Sequence, residues 1–200
     1  MSIMATTAIG GTRGDLDDLA ARAWDHDYQE QTDVYASAPW PELNADAKLG
    51  AINVQGKPLP EGLSDGHIIQ GAPLQADRVT VVVFWGTWCG PSLRAVEVVE
   101  GVSQLYGRKL QPVAMAGQDE RRKAVQNYLE TNSIGCTIAV DERQTLYRAL
   151  DVEAIPMALV VSTDGVVRWQ GNPLDPRFNE AVRRVVDADP GVAWRKKKAA

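Results

Sequence analysis

The sequence predicts an α/β domain with a mixed central sheet, helices on both faces and an irregular N-terminal extension. Three observations indicate this fold class. Val79–Trp85 is apolar on both faces, as a central strand covered by helices is. Strand-like and helix-like segments alternate from about residue 67 to residue 187. Near the end of that region, Thr163–Gly165 separates two β-like runs and predicts a hairpin turn.

The region before residue 67 carries weaker signals. Residues 1–14 are small and Gly-rich, which predicts a mobile start. Apolar residues then recur at helical spacing after Asp15, which predicts a short capped helix. Residues 25–66 contain four prolines and four glycines, and they predict an extended wrap with one or two helical turns near Pro41–Leu49. We therefore divide the chain into three parts, which are the extension 1–49, the domain 50–187 and a basic C-terminal tail 188–200.

Within the domain, the elements follow one another with short connections. The predicted strands are His67–Gln70 (at a sheet edge), Val79–Trp85, Leu110–Ala116, Thr137–Val140, Met157–Ser162 and Val166–Gln170. The predicted helices run from Pro91 to Gly107, over Glu120–Asn132, from the capping residue Asp141 to about Leu150, and over Asp175–Val186. Strands joined through helices are expected to run parallel, and the final hairpin adds an antiparallel strand.

The charge balance argues against a polyanionic partner. The chain has 21 Lys and Arg against 26 Asp and Glu, a net charge of −5, so we predict no nucleic-acid binding. A basic run, Arg195–Lys198, stands near the C-terminus. Its simplest interpretation is a solvated tail, and the alternative is a contact with an acidic partner or an anionic lipid.

No targeting or membrane segment is apparent in the sequence. Residues 1–14 lack the charged start and the apolar stretch of a signal peptide. The longest apolar runs, such as Val79–Trp85, are too short to span a bilayer, so no stable membrane insertion is expected. We therefore expect a cytoplasmic protein, or an extracytoplasmic one if the chain is a trimmed mature form.

Cys89 is the residue whose surroundings predict chemistry. It follows a buried strand and precedes a helix, so its sulfur is expected beside the unpaired backbone N–H groups of the helix start. Those groups favour the thiolate, which is the nucleophile in disulfide exchange. Trp88 offers an apolar surface beside it, Gly90 lets the chain pass close to the sulfur, and Pro91 pre-sets the first helical turn. The alternative is that Cys89 is a small buried hydrophobic residue.

The segment Phe84–Pro91 resembles the active-site segment of the thioredoxin-like superfamily. The similarity is greatest to thiol-disulfide oxidoreductases related to cytochrome c maturation and to the alkyl hydroperoxide reductase/TSA group. It covers roughly residues 50–187, with Ala154–Pro156 resembling the cis-proline loop and Thr163–Gly165 fitting the hairpin. The resemblance implies a thioredoxin-like fold, a catalytic Cys89 and no cofactor. It also implies supporting site residues, namely Trp88, Gly90, Pro91, Ser92 and the cis proline Pro156.

This chain departs from the family pattern at three positions. Ser92 replaces the second, resolving cysteine, so the site is Cys-Gly-Pro-Ser and cannot close a disulfide within the motif. The Ser92 hydroxyl is still able to donate a hydrogen bond to the Cys89 thiolate. Val83 stands where many thioredoxins carry a buried acid, and Met157 stands where a threonine commonly follows the proline, which makes that wall more apolar.

Cys136 is the candidate second thiol. A buried structural cysteine is the favoured interpretation, and pairing with Cys89 requires a fold that brings the two close together. No metal site is predicted, because His26 and His67 are isolated and no ligand cluster has suitable spacing. We interpret Asp119–Lys123 as the solvated start of a helix.

Three functions compete at this point. The first is a monothiol thiol-disulfide oxidoreductase that uses Cys89, acts on protein or glutathione disulfides and relies on an external thiol for resolution. The second is a thioredoxin-fold protein-binding module that has lost redox turnover. The third, a peroxide-sensing thiol, has least support, because no Thr-x-x-Cys loop with a nearby arginine is present and Arg94 lies after the cysteine instead.

Overall fold

The computed structural model describes residues 33–45, 50–63, 66–118 and 120–193. The predicted helix after Asp15 and the basic run Arg195–Lys198 lie outside these ranges. Residues 33–36 form a helical turn, whereas residues 41–44 are not helical and residues 46–49 lie outside the described part. The proposed turns near Pro41–Leu49 are therefore absent where the structure describes that segment.

Six strands form one mixed sheet. They are β1 (His67–Gln70), β2 (Val79–Trp85), β3 (Leu110–Ala116), β4 (Thr137–Val140), β5 (Met157–Val161) and β6 (Val167–Gly171). Their order across the sheet is β1-β4-β3-β2-β5-β6. The β2–β3 and β3–β4 pairs are parallel, and the β1–β4, β2–β5 and β5–β6 pairs are antiparallel. The mixed sheet predicted from the sequence is therefore present, with β1 at an edge and β2 near the centre.

In the described part of the chain, four helices with defined bounds connect or follow these strands, and residues 190–193 are helical as well. The four helices are α1 (Gly90–Tyr106), α2 (Arg122–Leu129), α3 (Thr145–Ala149) and α4 (Arg177–Ala188), with a 3-10 turn over Gly107–Lys109. The helix α2 is shorter than the predicted Glu120–Asn132 segment at both ends. Glu120 lies before the helix, where its carboxylate accepts hydrogen bonds from Thr87.

The two faces of β2 contribute to two hydrophobic clusters. Val81, Val83 and Trp85 join the cluster that contains the apolar faces of α1 and α4. Val82 and Phe84 join the cluster that contains buried residues of α3. Because successive strand residues point to opposite faces, one continuous apolar strand supports both layers. Helices on both faces of the sheet are thus observed.

The direction of β5 corrects one expectation. We expected every strand that follows a helix to run parallel, but β5 runs antiparallel to β2, with Met157 opposite Phe84 and Val161 opposite Thr80. The connection explains this reversal. The connection, residues 141–156, is held at the carboxyl ends of β2 and β3, because the Tyr147 hydroxyl donates to the Met115 carbonyl at 3.2 Å and the Gln118 side chain donates to the Val152 carbonyl at 3.2 Å. β5 therefore starts at the end of the sheet where β4 finishes and runs back antiparallel to β2.

The N-terminal segment runs along the outer strand β6. Gly56 N–H donates to the Val167 carbonyl at 2.7 Å, Val167 N–H donates to the Lys57 carbonyl at 2.9 Å, and Leu59 N–H donates to the Gly165 carbonyl at 2.8 Å. The fully buried Gln170 accepts from Val54 N–H at 3.0 Å through its side chain. The residues before β1 therefore cover the free edge of the sheet.

The residues after α4 also contact the hairpin. The buried Asp189 carboxylate accepts hydrogen bonds from Thr163 and from the backbone N–H groups of Gly191 and Val192. Burial raises the pKa of this carboxyl above its ordinary value. Residues 189–193 of the predicted tail therefore pack against the domain, and residues 194–200 lie outside the described part.

Asp141 fixes the start of α3. Its carboxylate accepts from three backbone N–H groups, at 2.8 Å from Thr145, 2.9 Å from Leu146 and 3.0 Å from Tyr147. The capping role predicted from the sequence is present, although Asp141 lies three residues before the assigned cap position Gln144. Since Asp141 is 1% exposed, water has little access to these groups.

We predict that Asp141→Ala lowers the free energy of unfolding by about 2 kcal/mol, because it leaves buried N–H groups without an acceptor. Urea unfolding followed by circular dichroism measures the loss. The matched control is Glu142→Ala, which removes only a partly exposed ion pair with Arg122 and should cost less than about 1 kcal/mol. Equal losses in the two variants would contradict the capping role.

Candidate active site

The candidate site is the loop between β2 and α1. Cys89 is half-buried, has an extended backbone and immediately precedes the first residue of α1. Its backbone N–H donates to the Gly86 carbonyl at 3.0 Å, and its carbonyl accepts from Leu93 N–H at 3.1 Å. The first turn of α1 contains no acidic residue. The sulfur therefore lies at the positive end of a 17-residue helix, where an anion is stabilised.

The chain before β5 forms the opposite wall. Ile155 and Pro156 directly precede β5, whose first residue, Met157, pairs with Phe84 near the end of β2. The Cys89 thiol donates to the Ile155 carbonyl, with the sulfur 3.9 Å from the oxygen, and the Ile155–Pro156 peptide bond is cis. The structure thus brings Cys89 and the proline loop together across 66 residues of sequence.

Ser92 is buried beneath the loop, and its hydroxyl bonds to backbone atoms instead of the Cys89 sulfur. Its hydroxyl lies 2.8 Å from the Cys89 carbonyl and 3.3 Å from the Gly86 carbonyl, and it accepts from Gly86 N–H at 3.2 Å. From the sequence, we expected that the Ser92 hydroxyl is able to donate a hydrogen bond to the Cys89 thiolate. In the structure, the hydroxyl makes these backbone contacts instead. Because Ser92 is 0% exposed, its role in this structure is to fix the loop.

The other loop residues form the rim. Trp88 is 64% exposed, and Gly90 and Pro91 are exposed as well. The space around Gly90 is open, so the expected close passage of the chain does not occur there. The tight position is Gly86, where a Cβ would lie 2.9 Å from Trp88 Nε1 and 3.2 Å from Glu120 Oε2. The steric requirement for glycine therefore falls at the start of the loop.

Glu120 is a site residue that the sequence interpretation missed. One carboxylate oxygen accepts from Thr87 N–H at 2.9 Å, and the other accepts from the Thr87 hydroxyl at 3.0 Å. Glu120 is 8% exposed, so it is wrong to describe it as part of a solvated helix start. This carboxylate holds the residue two positions before Cys89. No periodicity could have predicted the contact, because it joins residues 33 positions apart.

Two of the three positions that depart from the family pattern, Val83 and Met157, lie in the core. Val83 is fully buried, so the strand beneath the site carries an apolar side chain there. Met157 is also fully buried, and its sulfur accepts from the Gln170 side chain at 3.6 Å. Met157 therefore contributes to the packing behind the site.

Cys136 is remote from Cys89. It precedes β4, whose first residue, Thr137, pairs with Val113, and Val113 pairs with Val82. The end of β2 lies three residues beyond Val82, a distance of about 10 Å along the strand. A disulfide needs Cα atoms within about 7 Å. Both cysteines are free, and Cys136 is 2% exposed. Burial, together with the nearby Glu100 carboxylate, raises the pKa of the Cys136 thiol to about 12.

Within the described ranges, no three His, Cys, Asp or Glu side chains lie close enough together to hold a metal ion. Among the same residues, no helix has the length and apolar character needed to cross a membrane.

Comparisons with known proteins agree with this architecture. A family model described as thioredoxin-like matches residues 77–167. The thiol-disulfide oxidoreductase ResA of Bacillus anthracis is 26% identical over 84 residues, which cover 42% of this chain and 49% of the relative. ResA of Geobacillus kaustophilus is 22% identical over 85 residues, with 42% and 49% covered. The chain thus spans about half the length of the curated relatives it matches.

Solved structures share the fold at low sequence identity. A Chlorobium tepidum protein assigned as a thiol:disulfide interchange protein DsbE superposes with a TM-score of 0.54 and 20% identity, covering 68% of this chain and 98% of that protein. A Bacteroides vulgatus protein assigned as a thiol-disulfide oxidoreductase gives a TM-score of 0.52 and 18% identity, covering 60% and 89%. The predicted thioredoxin-like fold is confirmed.

We predict that iodoacetamide modifies one cysteine of the folded protein near neutral pH. Cys89 is half-exposed, whereas the Cys136 thiol is buried and stays protonated. Intact mass spectrometry should find one adduct in buffer and two in urea. The control variant Cys89→Ser should gain none in buffer, and rapid modification of Cys136 in the folded chain would contradict the described placement.

We predict that the Glu120–Thr87 contact is energetically coupled. Glu120→Ala should lower the free energy of unfolding by about 1 to 2 kcal/mol, because it leaves the half-buried Thr87 donors unpaired. A double-mutant cycle with Thr87→Val should give a coupling energy of about 1 kcal/mol. The exposed neighbour Arg121→Ala serves as the control and should change stability by less than about 0.5 kcal/mol. Strict additivity of the two substitutions would refute the contact.

Proposed function

Since this chain belongs to the thioredoxin-like superfamily, we propose that it is a monothiol thiol-disulfide oxidoreductase with Cys89 as the nucleophile. The observation that carries the proposal is the position of one half-exposed thiol at the start of α1, 3.9 Å from the Ile155 carbonyl. The names of the relatives support this reaction class, because both ResA proteins are thiol-disulfide oxidoreductases.

The first step is an exchange at sulfur. The Cys89 thiolate attacks one sulfur of a substrate disulfide, the new bond joins Cys89 to that sulfur, and the old S–S bond breaks. The second substrate sulfur leaves as a thiolate with the electron pair of the broken bond and takes up a proton from water. The N–H groups at the start of α1 stabilise the attacking anion. The Ile155 carbonyl accepts a hydrogen bond from the resting thiol and lies beside the reacting sulfur.

Release of the product requires a second thiol from outside the chain. Ser92 is unable to form a disulfide, and the buried Cys136 precedes β4, whose first residue lies level with the middle of β2 and β3. An external thiolate therefore attacks the substrate sulfur of the mixed disulfide, forms a disulfide with it and returns Cys89 as a thiolate. The sum of both steps frees one substrate sulfur as a thiolate and leaves the other in a disulfide with the external thiol. A second external thiolate then attacks the sulfur of the first external thiol, which completes the reduction of the substrate and oxidises the two external thiols to a disulfide.

A protein disulfide fits the surroundings of Cys89. The exposed Trp88 ring offers apolar contact area on one side of the sulfur. On the other side, Ile155 and Pro156 are partly accessible in the chain before β5. An extended peptide lying across this surface would place its disulfide sulfur next to Cys89.

A second candidate function is a binding module without turnover. The observation that favours it is Ser92, which is buried and bonded to the backbone where a resolving thiol would stand. Such a module would bind a peptide beside Trp88 without forming a covalent bond. Covalent trapping therefore separates the two functions.

We predict that the reduced protein forms a mixed disulfide with a peptide disulfide, and that Cys89→Ser abolishes the adduct. Cys136→Ser is the matched control and should leave adduct formation unchanged, because that thiol is buried. Non-reducing electrophoresis and intact mass spectrometry detect the adduct. Peptide binding without a Cys89-dependent adduct would favour the binding module instead.

We further predict that Ser92→Cys shortens the lifetime of the mixed disulfide. The new thiol stands at the family's resolving position, three residues after Cys89, and supplies an internal nucleophile. The decay of the adduct after removal of free thiols measures the effect, and we expect an acceleration of at least about tenfold relative to the unsubstituted chain. Equal decay rates would mean that position 92 does not approach the sulfur during exchange.

A further inference from the structure

A cleft of about 800 Å³ lies between the start of α2 and α3. Its charged lining consists of four cations and two carboxylates, which are Arg121, Arg122, Lys123, Arg148, Glu120 and Glu142. We call this feature the cationic cleft. It stands out because the chain as a whole carries a net charge of −5.

Both carboxylates of the cationic cleft already have partners. Glu120 accepts both of its hydrogen bonds from Thr87, and Glu142 pairs with Arg122 at 3.0 Å. The positive charges of Arg121, Lys123 and Arg148 are thereby left without an ion pair to any other residue that the structure describes. These three side chains are exposed. The cationic cleft therefore has an excess of accessible positive charge.

Arg122 adds an unused donor to the wall. Its terminal nitrogen binds Glu142, but its Nε atom is buried and has no acceptor among the described residues. A buried donor without an acceptor is costly, so the guanidinium, whose side chain is 39% exposed, gains by turning toward an incoming carboxylate or carbonyl oxygen. The cationic cleft thus offers both charge and directed hydrogen bonding to an anion.

Glu120 connects the cationic cleft to Cys89. The same side chain lines the cleft and holds Thr87, which lies two residues before the sulfur-bearing residue. Two residues of extended chain span about 7 Å. A peptide whose disulfide meets Cys89 therefore reaches the cleft within a few residues.

We propose that the cationic cleft binds an acidic segment of the substrate, with Asp or Glu side chains close in sequence to the disulfide cysteine. This inference rests on the proposed exchange function and specifies its substrate class. Carboxylates match the lining, because arginine guanidinium groups bind them through paired hydrogen bonds. The volume of the cleft, about 800 Å³, is sufficient for several side chains of a peptide.

The binding test uses the full chain with Cys89→Ser, which prevents covalent reaction. Two fluorescein-labelled peptides of equal length carry a disulfide-capped cysteine, flanked by aspartates in one and by asparagines in the other. At low ionic strength, fluorescence anisotropy should find the aspartate peptide bound at least about tenfold more tightly, and added salt should remove the difference. Equal affinities for the two peptides would overturn the proposal.

Matched charge variants locate the binding surface. Lys123→Gln combined with Arg148→Gln removes two charges from the cationic cleft, and Lys57→Gln combined with Lys109→Gln removes two charges elsewhere. Lys57 lies beside β6. Lys109 precedes β3 at the amino ends of β2 and β3, whereas the Cys89 loop follows the carboxyl end of β2. The first pair should reduce aspartate-peptide affinity to the asparagine level, and the second should retain it. If both pairs weaken binding of the aspartate peptide equally, the net charge of the protein explains the effect, and the proposal is overturned.

A parallel exchange assay separates failure of this inference from failure of the proposed function. With Cys89 present, both peptides should form the mixed disulfide, and the cleft variant should slow only the aspartate peptide. If both peptides react at the same rate in every variant, exchange stands and the acidic specificity is refuted. If neither peptide reacts, the exchange function fails, and the anisotropy result alone decides whether the cationic cleft binds acidic peptides.

Discussion

The antiparallel pairing of β5 with β2 is the constraint on which the site depends. It places Met157 opposite Phe84, so the Ile155–Pro156 segment lies at the carboxyl end of β2, as the Cys89 loop does. Had β5 run parallel to β2, its first residue would have stood at the amino end of β2, one strand length or roughly 16 Å away. The wall opposite the sulfur is therefore a consequence of strand direction, which in turn follows from the contacts that hold residues 141–156 at the carboxyl ends of β2 and β3.

The loop that carries Cys89 is fixed through its backbone while its sulfur stays available. Ser92 holds Gly86, Glu120 holds Thr87, and Gly86 accepts from Cys89 N–H. None of these contacts uses the thiol, whose sulfur has one hydrogen bond, to Ile155. These contacts fix the backbone of the loop around the sulfur, which lowers the entropy cost of reaching a reactive geometry in the exchange proposed above. In that proposal, Ser92 supports the loop and an external thiol provides the route of release.

Much of the fold could be predicted from local patterns. The apolar run of β2, the hairpin at Thr163–Gly165 and the cap at Asp141 each reflect interactions within a short stretch of chain. The direction of β5 could not, because it depends on tertiary contacts that hold residues 141–156 at the carboxyl ends of β2 and β3. At the site, the placement of Cys89 before a helix followed from its neighbours. The contact of Glu120 with Thr87 did not, because a buried carboxylate and an exposed one look alike in a charged run.

The strand-like pairing of residues 56–59 with the beginning of β6 has a consequence for how the molecule behaves in a crowded solution. A terminal strand with free N–H and C=O groups invites other chains to extend the sheet, which is a route to fibrous aggregates. Here that row of groups is partly occupied by the protein's own chain, through bonds to Gly165 and Val167. The segment ahead of β1 thus leaves fewer free backbone groups at this edge for another chain to pair with, independently of any chemistry at sulfur.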